Sequence, residues 1–564
     1  MVFIVLLKKL AFRFGSCLLP VIMIMGTVVH VNAEEVADVE PELVFTGLTG
    51  NLPISDAPFY DNGFALSIPP GVRGQPFDLV VSVPSIPTAV IYFTIDGSDP
   101  TPGEDRLVTR GERIIQLSGR LPEDGIIGVH NRSGHWRESI LTYHSEQWSE
   151  TLPATDASIL QGTAFRFRGF VNYEPVTEII TATYIIAQNP GVRFADRPII
   201  AVTAPYNDFL YIYRHADRND FTTRRKIFNY EYFELGETGY SRKFSLPGSS
   251  LGEWGNRGYA QRALDVHLTG GVITHPVFPG LYELYKFRLW NSGRGFHWDF
   301  MRDPFAQAAS VGLNVPITDN NVAIKFINGE FWGFTTIREQ TNSTQFVSTR
   351  TGIYIDNIAI TDRNRDSELY EELAEFIRSH DMSTDYARER LFAEFFCQYN
   401  FMDYLIANTF FNDADWPHNN VRFFRAITPE PDSQNPYNDG RWRFILHDMD
   451  QAPNPGAPQH AESMFSHLSV FNNQVFVEQF TERANYILEN HYSQEQLLAL
   501  HDKFTMIYMP LLPEMYNRFA IGGSADSAIG NFYRNWLQLR QFLINREYHY
   551  RNLLDELSEL VNQE

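Results

Sequence analysis

The sequence predicts an α+β chain of several domains, with a small β-sandwich preceding a mixed domain that ends in packed helices. Three observations carry that prediction. Short runs with a period of two, broken by Pro, Gly and Asp, fill the first part of the chain. Apolar residues return at helical spacing in the C-terminal part. The 564 residues, 44% of them hydrophobic, exceed what one core holds.

The N-terminus carries Lys8, Lys9 and Arg13, an apolar run over 18–29, and Val31-Asn32-Ala33 ahead of Glu34-Glu35. This is the pattern of a secretory signal peptide, residues 1–33, cleaved after Ala33. The apolar run is short for a membrane span, and Cys17 precedes it, which argues against a lipoprotein cleavage site. The mature protein is therefore expected to be secreted or extracytoplasmic, at the cell surface or in the periplasm. Cys397 is then the single mature cysteine, which excludes a disulfide framework within one chain and reads as a core filler. A net charge of −22 spread along the chain disfavours nucleic-acid binding.

After an acidic segment, 34–60, the runs 64–68, 77–81, 90–95, 164–170 and 181–186 read as strands of a sandwich over 61–188. The segment 103–157 reads as an insertion, and its His130, His135 and His144 have no metal spacing and are expected at the surface. The turn Y-F-T-I-D-G-S-D-P-T (92–101) and the closing A-T-Y-I-I (182–186) resemble the chitobiase/β-hexosaminidase C-terminal-type, Ig-like module. Such modules imply spacing or packing beside a secreted enzyme, with carbohydrate binding the less favoured role. Asp96 and Asp99 read as turn-formers.

Asn189-Pro190-Gly191 reads as a linker, and 192–560 as the second domain. Strands are expected over 197–203, 228–234, 265–268 and 286–290, with a helix beginning near Asp303. The runs 322–327 and 331–337 flank Asn328-Gly329-Glu330, a strong hairpin signal. Helical periodicity over 476–489, 494–509 and 531–561 predicts a C-terminal helical subdomain beneath the site, with Arg546 structural.

Two polar islands between apolar runs carry the candidate chemistry. The first, N-D-A-D-W-P-H-N-N (412–420), follows a helix-compatible run; the second, H-D-M-D (447–450), ends the strand-like W-R-F-I-L. Asp415, Asn420 five residues on, and Asp448 at the end of a following strand form the layout kinases use. One carboxylate there positions the attacking hydroxyl, while Asn and the second Asp hold Mg²⁺ against nucleotide phosphates. The same residue types also make Asx-turns and strand caps, the reading preferred for Asp413. His447 reads as a hydrogen-bonding core histidine.

With these islands stand G-N-R-G-Y-A-Q-R-A-L, F-R-L-W-N-S-G, R-D-P and I-N-G-E-F-W-G-F-T-T-I-R-E-Q. In this order the motifs resemble the spore-coat protein H (CotH) kinase family over roughly 197–553. The resemblance implies an atypical protein-kinase-like fold and transfer of phosphate from ATP, with Mg²⁺ or Mn²⁺, to Ser or Thr of secreted or surface proteins. It makes Asp415 the catalytic residue, Asn420, Asp448 and Asp450 the metal ligands, and Glu339 a residue beside the nucleotide. A salt bridge with Arg338 or Arg302 is the structural alternative for Glu339. Arg262 stands where family members commonly carry the phosphate-pairing Lys, and a guanidinium is not a like-for-like replacement. Arg257 is the substitute cation, and Gly255 with Gly258 offers a phosphate cradle.

Two other readings remain open at this point. One is a pseudokinase or surface scaffold, favoured by Arg262. The other is a metal-dependent hydrolase using Asp413, Asp415, His418, His447 and Asp448, which Trp416 and Pro417 make awkward.

Overall fold

Strand-forming runs in the first part of the chain assemble two sheets around a shared core. In the computed structural model the described residues are 58–103, 106–108, 113–117, 160–214, 225–252, 261–281, 283–362, 371–430, 433–455, 465, 468–518 and 525–561. The signal peptide, most of the acidic segment, His130, His135, His144, Gly255 and Arg257 lie outside them.

The N-terminal strands are β1 (Phe59–Asp61), β2 (Phe64–Leu66), β3 (Gly71–Arg73), β4 (Phe77–Ser82), β5 (Val90–Thr94), β6 (Arg106–Val108), β7 (Arg113–Leu117), β8 (Thr163–Val171), β9 (Glu174–Pro175) and β10 (Ile180–Ile186). One sheet has the order β1-β2-β4-β7 and the other β3-β10-β8-β5-β6, with β9 on β8. Phe64, Leu66, Leu79 and Val81 of the first meet Ile91, Phe165, Phe167 and Ala182 of the second in one core. The segment read as an insertion contributes β6 and β7, which pair with β5 and β4. Asp96 Oδ1 accepts from Ser98 N at 3.0 Å within the turn, while Asp99 pairs with Arg166 of β8 at 2.8 Å.

The second part opens with β11 (Ile199–Thr203), α1 (Tyr206–Arg214), β12 (Lys226–Gly236), β13 (Gly239–Gly252), β14 (Leu264–Leu268), β15 (Lys286–Trp290), α2 (Arg302–Ala309), β16 (Asn320–Ile327) and β17 (Glu330–Arg338). Its strands close into a barrel, β11-β12-β13-β14-β15-β17-β16, sealed by the parallel pair β11–β16. The predicted hairpin joins β16 to β17, with Asn328 and Gly329 at φ 48° and 84°, the left-handed pair a two-residue turn requires. Then follow α3 (Thr344–Thr351), β18 (Ile358–Asp362), α4 (Glu371–Ser379), α5 (Asp385–Arg390), α6 (Gln398–Phe410), β19 (Arg422–Ala426), β20 (Arg443–Ile445), α7 (Gln474–Asn490), α8 (Gln494–Tyr508), α9 (Leu512–Arg518) and α10 (Ala525–Val561). Strands β18, β19 and β20 form a separate small sheet. Barrel and helices share one hydrophobic core. Among the described residues no helix is long and apolar enough to cross a membrane.

The sandwich is joined to the barrel by hydrogen bonds from both backbone and side chains. Asn328 Nδ2 donates to Asp96 O (3.3 Å) and Ala204 O (2.9 Å), while its Oδ1 accepts from Ala204 N (2.9 Å). Gly162 N donates to Gly329 O at 2.6 Å, and Phe331 N to Leu160 O at 3.0 Å. A methyl group on Gly329 would strike the Gly162 carbonyl, so the turn glycine also permits this approach. Arg242 bonds Thr181 O (2.7 Å) and pairs with Glu231 and Asp61. Residues 189–191 accordingly lead into a helical turn, Pro190–Arg193, beside a packed junction.

Two expectations take a definite form here. Cys397 is partly exposed rather than a core filler, standing just ahead of the first residue of α6. Arg546 is buried and donates Nη2 to Thr409 O (2.6 Å) and Nε to Phe410 O, satisfying the last carbonyls of α6.

One buried charge stands apart. Lys325 on β16 has no solvent exposure, and its Nζ has no hydrogen-bond partner among the described residues. Burial pushes its ammonium down from 10.5 to about 7. The unfolded chain therefore binds the extra proton between about pH 7 and 10.5, so this residue costs stability that is recovered as pH rises through that window. Lys325→Met is expected to raise the unfolding free energy at pH 7. Its advantage over the wild type should shrink by up to about 1.4 kcal/mol per pH unit toward pH 9. Urea unfolding at several pH values measures this, and a constant difference would contradict it.

Candidate active site

The two polar islands meet where α6 and β20 end. Helix α6 stops because Asn412 takes the left-handed conformation, φ 52°, which Asn tolerates at a helix end. The chain then turns through Asp413, whose Oδ1 accepts from Asp415 N at 3.0 Å, the cap expected of it. Strand β20 delivers His447, Asp448, Met449 and Asp450 alongside.

Asn420 is the joint between the islands. Its Nδ2 donates to Asp448 O at 3.0 Å and lies 3.5 Å from Asp415 Oδ2. Asn419 Nδ2 donates to Asp415 Oδ1 at 3.0 Å, and Tyr404 of α6 donates its hydroxyl to Asn420 O at 3.3 Å. Asn420 and Asp448 both hold positive φ, 61° and 56°, a conformation short polar side chains accept more readily than others. Three residues 33 positions apart at most are thus brought into one hydrogen-bonded set.

The barrel end supplies the rest. After β15, Gly293 adopts φ 54° and the next amide, Arg294 N, donates to Asp450 Oδ2 at 2.8 Å. Asn291 Oδ1 accepts from Gly293 N (3.2 Å), and its Nδ2 donates to Gln261 O (2.7 Å), the residue before Arg262. Arg262 is buried within this wall. Glu339 is buried in a bidentate pair with Arg350 of α3 and accepts from Asp319 N at 3.1 Å. The salt bridge is thus with Arg350, because Arg338 pairs with Asp303 at 2.7 Å and Arg302 with Asp299 at 3.0 Å. His447 Nδ1 lies 3.2 Å from Thr341 Oγ1, which also receives Arg422 Nη1.

Electrostatics single out the same place. Burial pushes the Asp448 carboxyl up, Arg338 pulls it down and Asp303 raises it again, with Arg288 and Arg422 also lowering it. Asp450 is driven well above the ordinary carboxylate range by burial and then by Asp448. Asp413 is pushed up to about 7, mainly by burial, and its Oδ2 has no hydrogen-bond partner among the described residues. Burial followed by Arg422, Arg338 and Arg288 holds His447 well below its usual value, so it is neutral. Carboxylates that raise one another are the environment a divalent cation relieves. With Asn420 Nδ2 committed to Asp448 O, an amide oxygen from Asn420 and carboxylates from Asp448 and Asp450 make an all-oxygen donor set, the kind a hard cation takes.

A mixed His/Asp centre is not assembled: His418 is exposed, and among the described residues no group of three or more His, Cys, Asp or Glu is placed to hold a metal ion. Asp303, Arg422 and the Gly293-Arg294 turn are residues sequence reasoning left without a role at the site, and Arg338 was expected only as a partner of Glu339. For Asp303, Arg338 and the turn the motifs R-D-P, I-R-E and W-N-S-G were visible, but nothing local in them points to a loop more than 100 residues away.

No curated protein matches this chain. The family model described as CotH kinase protein matches residues 256–550, more than half of its length.

Gly293 tests the cradle under Asp450. A methyl group there would land on Asp450 Oδ2, and the left-handed backbone adds about 1–2 kcal/mol for any L side chain. Gly293→Ala is expected to lower the unfolding free energy by at least that amount, measured by urea titration; a variant as stable as the wild type would remove the cradle from the account.

Proposed function

Because the chain belongs to the CotH kinase protein family, we propose that it transfers the γ-phosphoryl group of ATP to Ser or Thr hydroxyls of secreted or surface proteins. The observation that carries this reading is the placement of Asn420 against both Asp415 and Asp448. Asp415, partly exposed, orients the acceptor hydroxyl and takes its proton as the oxygen bonds to the γ-phosphorus and the bond to ADP breaks. Asn420, Asp448 and Asp450 would hold Mg²⁺ or Mn²⁺, which supplies charge neutralisation of the phosphates when bound. Arg262, with Gly255 and Arg257 ahead of it, is the segment assigned to the phosphates.

The organisation belongs to the same proposal. A signal peptide (1–33) directs the chain out of the cytoplasm, an acidic segment (34–60) follows, and 192–560 is the kinase-like domain. Two sheets around one core support an Ig-like assignment for 61–188, with packing rather than carbohydrate capture as its role. A scaffold without transferase activity is the second reading, favoured by Arg262 standing buried where a mobile lysine ammonium would serve.

Thermal-shift titration of the mature protein with ATP and Mg²⁺ or Mn²⁺ tests the nucleotide site. Saturation at a hundredfold excess over Kd stabilises by about 2.7 kcal/mol, a shift expected in the wild type and absent in Asp448→Ala. Asp415→Ala should keep the shift and lose about 10²–10⁴-fold in transfer rate. No shift in well-folded wild-type protein at millimolar ATP would leave the scaffold reading in its place.

A further inference from the structure

Asp303, on the first turn of α2, is 1% exposed and uses both carboxylate oxygens on partners from different parts of the fold. Oδ1 accepts from Met449 N at 2.8 Å and from Gln307 Nε2 at 3.1 Å. Oδ2 pairs with Arg338 Nη1 at 2.7 Å, at the end of β17. Met449 stands between Asp448 and Asp450, so its amide fixes the backbone from which both side chains project. Gln307, one turn along the same helix, donates to Leu446 O at 3.3 Å and accepts from Thr318 N at 3.0 Å. Helix α2 thereby grips both sides of the His447-Asp448 step.

Arg338 is held as firmly. Its guanidinium lies 4.4 Å from the Trp290 ring centroid, and across the strand pair it faces Arg288. Two arginines side by side repel unless each has its own acid, and they have: Asp303 for Arg338 and Asp265 for Arg288, the latter at 2.6 Å. Asp303 thus sets where Arg338 stands, and where the Asp448 backbone stands, through one carboxylate.

We propose that Asp303 is a positioning residue that couples the barrel, through Arg338, to the cation-binding loop 448–450, through the Met449 amide. The functional half of this assignment rests on the kinase reading above; the coupling itself does not. Aspartate is needed because one oxygen accepts from the Met449 amide while the other carries the charge that pairs with Arg338. Asparagine has the same shape but no charge and a single acceptor, so its nitrogen must face either the Arg338 cation or the Met449 N–H, and the ion pair that fixes the acceptor against Met449 is lost either way. Glutamate keeps the charge but moves the carboxylate outward by one methylene.

Two measurements on the full mature chain test this. Amide hydrogen exchange without ligand should show the Met449 amide exchanging at least tenfold faster in Asp303→Asn than in the wild type, with amides of the sandwich and α7 unchanged. Thermal-shift titration with Mn²⁺ and ATP should show an apparent Kd weakened about 10–100-fold in Asp303→Asn, as for other residues that orient ligands from behind. Asp303→Glu, should Asp303→Asn not fold, is expected to give the same two changes. Equal protection of Met449 in wild type and variant would overturn the coupling. A wild type with no metal-dependent shift would overturn the kinase reading and the role in cation binding, while the exchange result would still decide the coupling.

Discussion

Mutual repulsion among Asp303, Asp413, Asp448 and Asp450, largely withdrawn from water, is the constraint around which this half of the molecule is built. Such a group survives in a fold only if fixed positive charge and amide donors surround it. Here the balance comes from several directions: Arg338 and Arg288 from the barrel, Arg422 from the small sheet, and the Arg294 and Met449 amides. Each comes from a different stretch of chain, so the barrel, α2 and the small sheet must be in register for any of them to fit. The same geometry leaves the charges incompletely cancelled, the condition in which a cation binds.

The helical part answers a related requirement. The end of α6 has to release the chain into the loop carrying Asp415 and Asn420, and its last carbonyls would otherwise face a buried interior. Arg546, far away in α10, covers the Thr409 and Phe410 carbonyls, while Arg483 of α7 pairs with Asp403 at 2.7 Å. The C-terminal helices therefore brace the loop's starting point as well as completing the core.

Much of this was legible in the sequence where the signal is local. Strands of period two, the Asn328-Gly329 turn and the long C-terminal helices were all visible, since each depends on residues within a few positions. The pairing of Asp415, Asn420 and Asp448 was legible too, because a strand, a loop and a strand leave few ways to arrange them. Closure of seven strands into a barrel was not, as parallel pairing of β11 with β16 joins residues more than 100 apart. The assignment of acids to arginines was equally hidden. Glu339 lies next to Arg338 in sequence, yet neighbours on a strand point to opposite faces, and the two side chains find partners on α3 and α2 instead.

The contacts of Asn328, Gly329 and Phe331 with Asp96, Gly162 and Leu160 have a consequence for how the chain works in space. A module on a flexible tether sweeps a volume and leaves its enzyme free to tumble; one clasped by backbone hydrogen bonds at several points does neither. Whatever the outer face of the sandwich rests against, the site around Asp415 is presented at a constant bearing and distance from it. Reach is then set by the rigid dimensions of the molecule.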